Sequence, residues 1–467
     1  MNTENNRLPM YFASLEIENI KCFGEKQRLD LRNHDDSVAR WTLILGDNGV
    51  GKTTLLRSLA WMIPEEDTEP SDNDVKDSSS KSLKVKIKPF MDAFETEVEY
   101  EELVKIGNNT NSRIGATFTY GVALGHKPDD NQLVSHAFTI LVDENGKFKD
   151  REVEHGELPE FSRPKLFAYG ASRHMAFKNT DKTELKEHVS NLFSDSGDLY
   201  DAEQLLTVLD DASIRETDTT RATELLKKVK KILVDLLPDP EINNPDCIII
   251  NSPLNPDGTI NENRVQVRMP YGNIPLLNLS LGYKTMIAWA VDLALRMLWS
   301  NPESTNPLEE PAVVIIDEID LHLHPKWQRE LRDYLTKHFT NTQFICTAHS
   351  PIMAQSAETE NLCVLHKINN QVHINSNPHI VHGWRIDQIL TSNLFDLPSR
   401  SNEIEKSIER RRLLMNKDER DSNEEEELGK LNEEISALPV LENSENQLLL
   451  DGIRTLHAQL KKESKIQ

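Results

Sequence analysis

The sequence predicts an α/β protein: a mostly parallel core sheet carrying a β-rich insertion and a helical subdomain, followed by a helical C-terminal region. Three observations carry that prediction. Trp41 to Leu45 is a β-branched and apolar run of strand length; it leads into Gly46 to Thr53, GDNGVGKT, and then into the helix opening Thr54 to Ala60. Ala312 to Ile316 and Gln343 to Thr347 are short, continuous apolar runs, the pattern of strands buried on both faces of a parallel sheet. Between the first strand and these two, residues 180–238 have helical periodicity with few breakers, and Pro238 closes them.

The bulk properties narrow the class. A chain of 467 residues is too long for one compact core. The net charge of −24 argues against a surface that is wholly a nucleic-acid platform, while leaving room for a local basic patch. Cys22, Cys247, Cys346 and Cys363 are scattered with no CxxC pair, which reads as buried thiols in a reducing compartment. No apolar run reaches transmembrane length, and the opening MNTENNR is polar. The expectation is a cytoplasmic protein with no membrane partner.

Taken in order, residues 1–65 form the first part of the core. Tyr11 to Ile17, Lys21 to Gly24 and Leu29 to Leu31 alternate like paired strands and lead into the strand at Trp41. Residues 66–160 read as a polar linker followed by a β-rich insertion, with strand signals in VKIKPF, ATFTYGVAL and AFTILV. Residues 161–176 hold another core strand, Pro164 to Gly170, ending in a turn, and residues 177–260 the helical subdomain. Residues 261–390 return to the core, with a long apolar-faced helix at Leu279 to Trp299. Residues 391–467 read as a C-terminal helical assembly region. IEKSIERRRLL and ENQLLLDGIRTLHAQLKK are amphipathic, and the EEEEL run between them reads as a solvated face.

The chemistry begins at the glycine turn. A strand, a glycine-rich loop and a helix N-terminus bring backbone N–H groups and the positive end of a helix dipole onto one anion. Gly46, Asp47, Asn48, Gly49, Val50, Gly51, Lys52, Thr53 and Thr54 are therefore the candidate nucleotide-binding set. Lys52 would reach the β- and γ-phosphates of a nucleoside triphosphate, and Thr53 would offer a hydroxyl to Mg²⁺. Asp317, at the end of an apolar strand, is the second candidate for Mg²⁺; Glu318, beside it, is placed to polarise the attacking water. Ser280 and Gly282 open the long helix in Leu279-Ser280-Leu281-Gly282, a serine hydroxyl and a glycine at a second helix N-terminus; an ordinary serine N-cap accounts for the same residues. His349 follows a core strand and can donate to a γ-phosphate. His322 and His324 alternate as zinc ligands do, but no third ligand follows at a useful spacing.

The phosphate loop, the LSLG phrase, the apolar strand ending Asp317-Glu318 and the strand followed by His349 come in the order of ABC-type ATPases, which the chain resembles. The phrases DEIDLHLHP and TAHSP, with LEIENIKCF near the start, are similar to the soluble branch: structural-maintenance-of-chromosomes, recombination-mediator and overcoming-lysogenization-defect (OLD) ATPases. LSLGYKTMIAWAVDLALRM, LFAYGASR, KILVDLLPD and GWRIDQILTSNLFDL resemble the ATPase subunit of the Septu anti-phage system and related retron ATPases, over about residues 12 to 396. The resemblance implies a P-loop ABC-type ATPase head that dimerises around ATP, with Ser280 and Gly282 closing the partner's site. It implies a loop at His322 to Pro325 crossing the interface, and His349 as the switch histidine. Two departures stand out. The glutamine expected after a core strand is replaced by Tyr169 to Arg173, which puts Arg173 forward as a phosphate contact. The insertion at 66–160 has no long coiled coil.

Function follows in outline. The resemblance implies a homodimer or higher homo-oligomer working with an HNH-type nuclease subunit. The residues after Pro351 show no Glu followed by a DxD pair, so no nuclease centre is visible in this chain. The competing expectations are a repair or recombination ATPase that clamps DNA directly, a transporter motor, and an ATP-responsive scaffold with little turnover.

Overall fold

The computed structural model describes residues 9–62, 64–66, 87–89, 112–120, 124, 134–142, 148–154, 165–175, 189, 191–193, 198–215, 219–236, 244–261, 263–357, 362–376, 384–392, 394–395, 397, 400–417 and 420–438. The linker expected before residue 83 lies almost wholly outside them, and the amphipathic stretch 445–462 lies wholly outside.

In chain order the elements begin with β1 (Met10–Glu18), β2 (Gln27–Asp30), β3 (Trp41–Gly46), α1 (Lys52–Trp61), β4 (Pro64–Glu66) and β5 (Ile87–Pro89). They continue with β6 (Ser112–Tyr120), β7 (Val134–Val142), β8 (Phe148–Glu154), β9 (Lys165–Tyr169), β10 (His174–Met175) and β11 (Asp198–Leu199). Next come α2 (Ala202–Arg215), α3 (Thr219–Leu236), β12 (Ile248–Ile250), β13 (Val265–Met269), β14 (Gly272–Pro275) and α4 (Leu281–Ser300). The chain goes on through β15 (Ala312–Ile316), α5 (Pro325–His338), β16 (Thr342–Ala348), α6 (Pro351–Ser356), β17 (Leu362–Ile368) and β18 (Gln371–Asn375). Last come α7 (Ile386–Thr391), α8 (Asn402–Met415) and α9 (Ser422–Ser436). The chain falls into two units: residues 1–389 with 393–395, and residues 390–392 with 396–467.

The centre of the first unit is a six-stranded sheet in the order β18-β17-β3-β16-β15-β9. Every pair is parallel except β17 with β18. Alternate residues along a strand point to opposite faces, and the strands feed two apolar layers accordingly. Ala312, Val314 and Ile316 enter one layer with Phe344, Cys346, Trp41, Leu43 and the buried face of α4. Val313 and Ile315 enter the other with Ile345, Ile44 and the leucines of α1. All five residues of β15 are buried, which is why its sequence is a continuous apolar run rather than an alternation.

The segment expected to be an insertion is joined to the core. Strands β6, β7 and β8 extend a five-stranded antiparallel sheet, β2-β1-β6-β7-β8, in which β6 pairs with β1 along its length. Lys21 to Gly24 is a turn rather than a strand: Phe23 N–H donates to the Ile20 carbonyl at 2.8 Å, and Lys21 has φ 44°. Gln343, buried in β16, ties the two sheets together. Its amide accepts from Phe12 N–H at 2.9 Å and donates to the Phe12 carbonyl at 2.8 Å, where the β1 register shifts. A bulge leaves backbone groups without a ladder partner, and the buried amide satisfies them.

In the second unit, α8 and α9 form a helical pair. The EEEEL run is part of α9 and not a link between helices. Asp421 caps that helix in a reciprocal capping box with Glu424, and Arg410 forks onto Glu427 at 2.8 and 2.9 Å.

Candidate functional site

Parallel strands place their C-terminal ends on one edge, and loops leaving that edge build the site. The loop after β3 turns sharply: Gly46, Gly49 and Gly51 have φ 152°, 77° and 92°. Gly51 is required twice over, because a Cβ there would also lie 2.5 Å from Cys22 Sγ and 2.9 Å from the Phe23 ring. Gly51 is the N-cap of α1. No side chain caps that helix and no acidic residue lies in its first turn, so its N-terminal amides are left for an anion.

Lys52 opens the helix and folds back over the loop. The residue is buried, and its ammonium donates to the carbonyls of Gly46 at 2.8 Å and Asp47 at 2.9 Å. Burial pushes its pKa below the ordinary lysine value, against the opposing pull of Asp317 and Glu318. Thr53 donates its hydroxyl to one Asp317 carboxylate oxygen at 2.6 Å. The other oxygen accepts from Thr347 Oγ1. Thr347 lies on β16, the strand that separates β3 from β15, so it stands between the phosphate loop and the acid pair. Its hydroxyl also accepts from Glu318 N–H at 2.7 Å. Residue-type reading missed Thr347; the available signal was a hydroxyl at the end of an otherwise apolar strand.

A cavity of about 290 Å³ opens at this edge. From the phosphate loop, Asn48, Gly49, Gly51, Lys52, Thr53 and Thr54 line it, and Glu318 and His349 face them. Two further lining residues, Lys21 and Cys22, come from the turn after β1. The motif order gave no reason to choose them. Gly46 and Asp47 hold Lys52 through their carbonyls, and Val50 is buried beneath the loop.

The residues fit a magnesium nucleotide on two counts. A hydroxyl and a carboxylate converge at Thr53 and Asp317, the hard-oxygen donor set that magnesium takes. His349 Nε2 is buried in the cavity wall with no protein partner, as a donor awaiting a phosphate oxygen would be. The histidine loop is fixed by Asp320, which accepts from His349 N–H at 3.0 Å. Among the described residues, no group of three His, Cys, Asp or Glu is arranged to hold a metal. His324 instead caps α5 through Lys326 N–H.

Ser280 and Gly282 are absent from the cavity wall. Ser280 is the exposed N-cap of α4, and its side chain makes no capping bond. Gly282 lies against the His322 carbonyl, where a Cβ would sit at 2.6 Å. Trp327 packs edge-on to Tyr283 with centroids 4.7 Å apart, as expected of a packing residue.

Arg173 departs from the expected phosphate contact. It is 5% exposed, and its guanidinium donates to the carbonyls of Gly170 at 3.0 Å, Asp317 at 2.5 Å and Glu318 at 2.7 Å. Burial lowers its pKa to about 10, still a cation at neutral pH. The reason for the different role is geometric: β9 lies beside β15, so the turn after β9 meets the turn after β15.

Known proteins place this site in context. The chain is 24% identical over 446 residues to the Septu protein PtuA of Bacillus mycoides, covering 93% of this chain and 52% of that protein. It is 32% identical over 126 residues to the Septu protein PtuA of Bacillus thuringiensis, covering 26% and 32%. Over 93 residues it is 45% identical to the "Retron Ec83 probable ATPase" of Escherichia coli, covering 20% and 17%. The chain thus spans about half or less of the length of these relatives. A solved structure, the SMC head domain from Thermotoga maritima, aligns over 80% of this chain and all of that one at 13% identity, with a TM-score of 0.39. Residues 42–353, from the strand before the phosphate loop to the helix after His349, match the family described as "AAA domain, putative AbiEii toxin, Type IV TA system", and the chain belongs to that family.

Proposed function

We propose that the chain binds ATP with Mg²⁺ at the edge of its parallel sheet, hydrolyses it slowly, and uses the bound nucleotide to control an HNH-type nuclease subunit in anti-phage defence. The observation that carries the reading is the convergence of Lys52, Thr53, Glu318 and His349 on one cavity, with Asp317 bonded to Thr53 beneath it. The similarity to Septu and retron proteins supports the defence setting.

The chemistry follows from the positions. Amides at the start of α1 and the Lys52 ammonium take the β- and γ-phosphates. Thr53 and Asp317 would hold the magnesium, which when bound would neutralise phosphate charge. Glu318 orients a water for attack in line with the leaving oxygen and accepts its proton. His349 Nε2 donates to the γ-phosphate, where negative charge is concentrated.

Calorimetry with ATP and Mg²⁺ tests the binding half. Lys52→Ala should weaken ATP by about ten- to a hundredfold, the worth of a charge-assisted contact of 1.5–3 kcal/mol. Unchanged affinity removes the basis of the reading. The partner half is tested by co-expressing the chain with the neighbouring open reading frame and weighing the purified complex. A lone chain, with the neighbour expressed and folded, argues against the nuclease.

A further inference from the structure

We propose that Arg173 is a positioning residue for hydrolysis: its guanidinium holds the backbone of the Asp317–Glu318 turn so that the Glu318 carboxylate faces the attacking water. The inference rests on the reading of Glu318 as the base.

Glu318 has φ 48°, the left-handed region, which a glutamate enters only under constraint. The constraint is visible on both sides of the residue. Its N–H donates to Thr347 Oγ1 at 2.7 Å, and the next amide, Ile319 N–H, donates to the Thr347 carbonyl at 2.9 Å. Those bonds hold the turn from the β16 side. Arg173 holds it from the β9 side, with one nitrogen on the Asp317 carbonyl and another on the Glu318 carbonyl. The two carbonyls flank the strained residue, and a planar fork spans both; an ammonium is a single point of charge and cannot be so rigid. The same nitrogen that meets Asp317 also meets the Gly170 carbonyl, anchoring the guanidinium to its own turn.

Gly170 is itself fixed. Its N–H donates to Asn191 Oδ1 at 2.6 Å, and a Cβ there would meet the Asn191 carbonyl at 2.5 Å. The chain from Asn191 through Gly170 and Arg173 to Glu318 is thus a set of short contacts around a residue whose side chain lines the cavity. Arg173 does not line it. Its effect should fall on the cleavage of bound ATP and not on ATP affinity.

The test measures ATP affinity by calorimetry, cleavage of bound ATP in a single turnover, and hydrogen exchange of the 317–323 turn, in the full chain. Arg173→Lys and Arg173→Ala are compared with the parent and with Glu318→Gln. In Arg173→Lys, cleavage of bound ATP should fall about a hundredfold, the usual cost of a catalytic group displaced by about 1 Å, with affinity within about threefold. The amides of Glu318 and Ile319 should exchange faster while those of β3 do not change. Guanidinium at concentrations below unfolding should restore part of the rate in Arg173→Ala and none in Glu318→Gln, an effect that a general loss of folding does not give. If Arg173→Ala does not fold, Arg173→Lys carries the test. Unchanged cleavage or unchanged exchange in the folded variants overturns the proposal. Weakened affinity with intact cleavage overturns it too, and puts the guanidinium on the phosphates. A parent that binds or cleaves no ATP fails the ATPase reading before any variant is made; the exchange rates then still decide whether Arg173 holds the turn.

Discussion

At the scale of single residues, the site separates into groups that line the cavity and groups that hold those groups in place. Lys52, Glu318 and His349 belong to the first kind and were legible, because each sits at a fixed place in a motif whose chemistry demands its type. Thr347, Asp320 and the bonding of Arg173 belong to the second and were not. Their partners are main-chain atoms or acids about 30 to 150 residues away, and no spacing rule links them. Lys21 and Cys22 reach the cavity because the turn after β1 lies under Gly51, a contact that only the folded chain makes. Two substitutions test the residue level. Glu318→Gln keeps the shape of the side chain and removes its basicity; it should keep ATP affinity and slow cleavage by about 10²- to 10⁴-fold in a single-turnover assay. Cleavage at the parental rate would deny Glu318 the role of base. Gly51→Ala forces a positive φ and a 2.5 Å approach to Cys22 Sγ, and should cost about 1–3 kcal/mol in chemical denaturation. A neutral result would mean that the Cys22 turn yields.

At the scale of elements, the apolar runs that became β3, β15 and β16 were plain because strands buried on both faces need no alternation. The long helix α4 was plain from its apolar face. What the sequence did not disclose was pairing. The β6 register with β1 turns an expected insertion into part of one antiparallel sheet, since strand partners are chosen by tertiary contact. The EEEEL run reads as a solvated face and lies at the surface of α9; what the sequence did not disclose is that Glu424 and Glu427 pair there with Lys417 and Arg410. The attachment of α4 to the sheet gives the prediction at this level. Asp292 on α4 is fully buried; it accepts from Tyr169 at 2.8 Å, from Tyr200 N–H at 2.9 Å and from Arg296 at 2.5 Å. Burial first, and then the Asp292 charge, push the Tyr169 phenol far above its ordinary pKa, which keeps it a donor at every physiological pH. Removing one partner of a buried pair strands the other charge. Asp292→Ala should therefore cost about 3–5 kcal/mol in urea unfolding, and Asp292→Leu combined with Arg296→Met clearly less. A double variant as damaged as the single would show that the network, not the stranded charge, carries the stability.

At the scale of the whole molecule, the residues singled out from the sequence fall in two separate places. The cavity gathers the phosphate loop, Glu318 and His349, while Ser280 lies exposed at the start of α4 and takes no part in the cavity wall. Leu281 beside it is 57% exposed, and the first amides of α4 lack a side-chain cap. This second helix N-terminus is open to solvent and lies against the backbone of an exposed His322, and the prediction at this scale is that it meets the phosphates held by another subunit. The resemblance to ABC-type ATPases implied this division, with the LSLG phrase lying far along the chain from the phosphate loop. The expectation is two shared sites per dimer, each built from the loop of one subunit and the α4 start of the other. Lys52→Ala destroys the first component and Ser280→Arg blocks the second, so each variant alone should be inactive. In a mixed dimer, the intact loop of the Ser280→Arg subunit faces the intact α4 start of the Lys52→Ala subunit, and one site is whole. Equal mixing makes half of the dimers mixed, with one working site of two, so the mixture should recover roughly a quarter of the parental ATPase rate if the sites act independently. Recovery that rises with the mixed fraction, measured by differently tagged subunits, supports the shared site. No recovery, with mixed dimers isolated and folded, would confine the ATP site to a single chain and leave Ser280 as an ordinary helix cap.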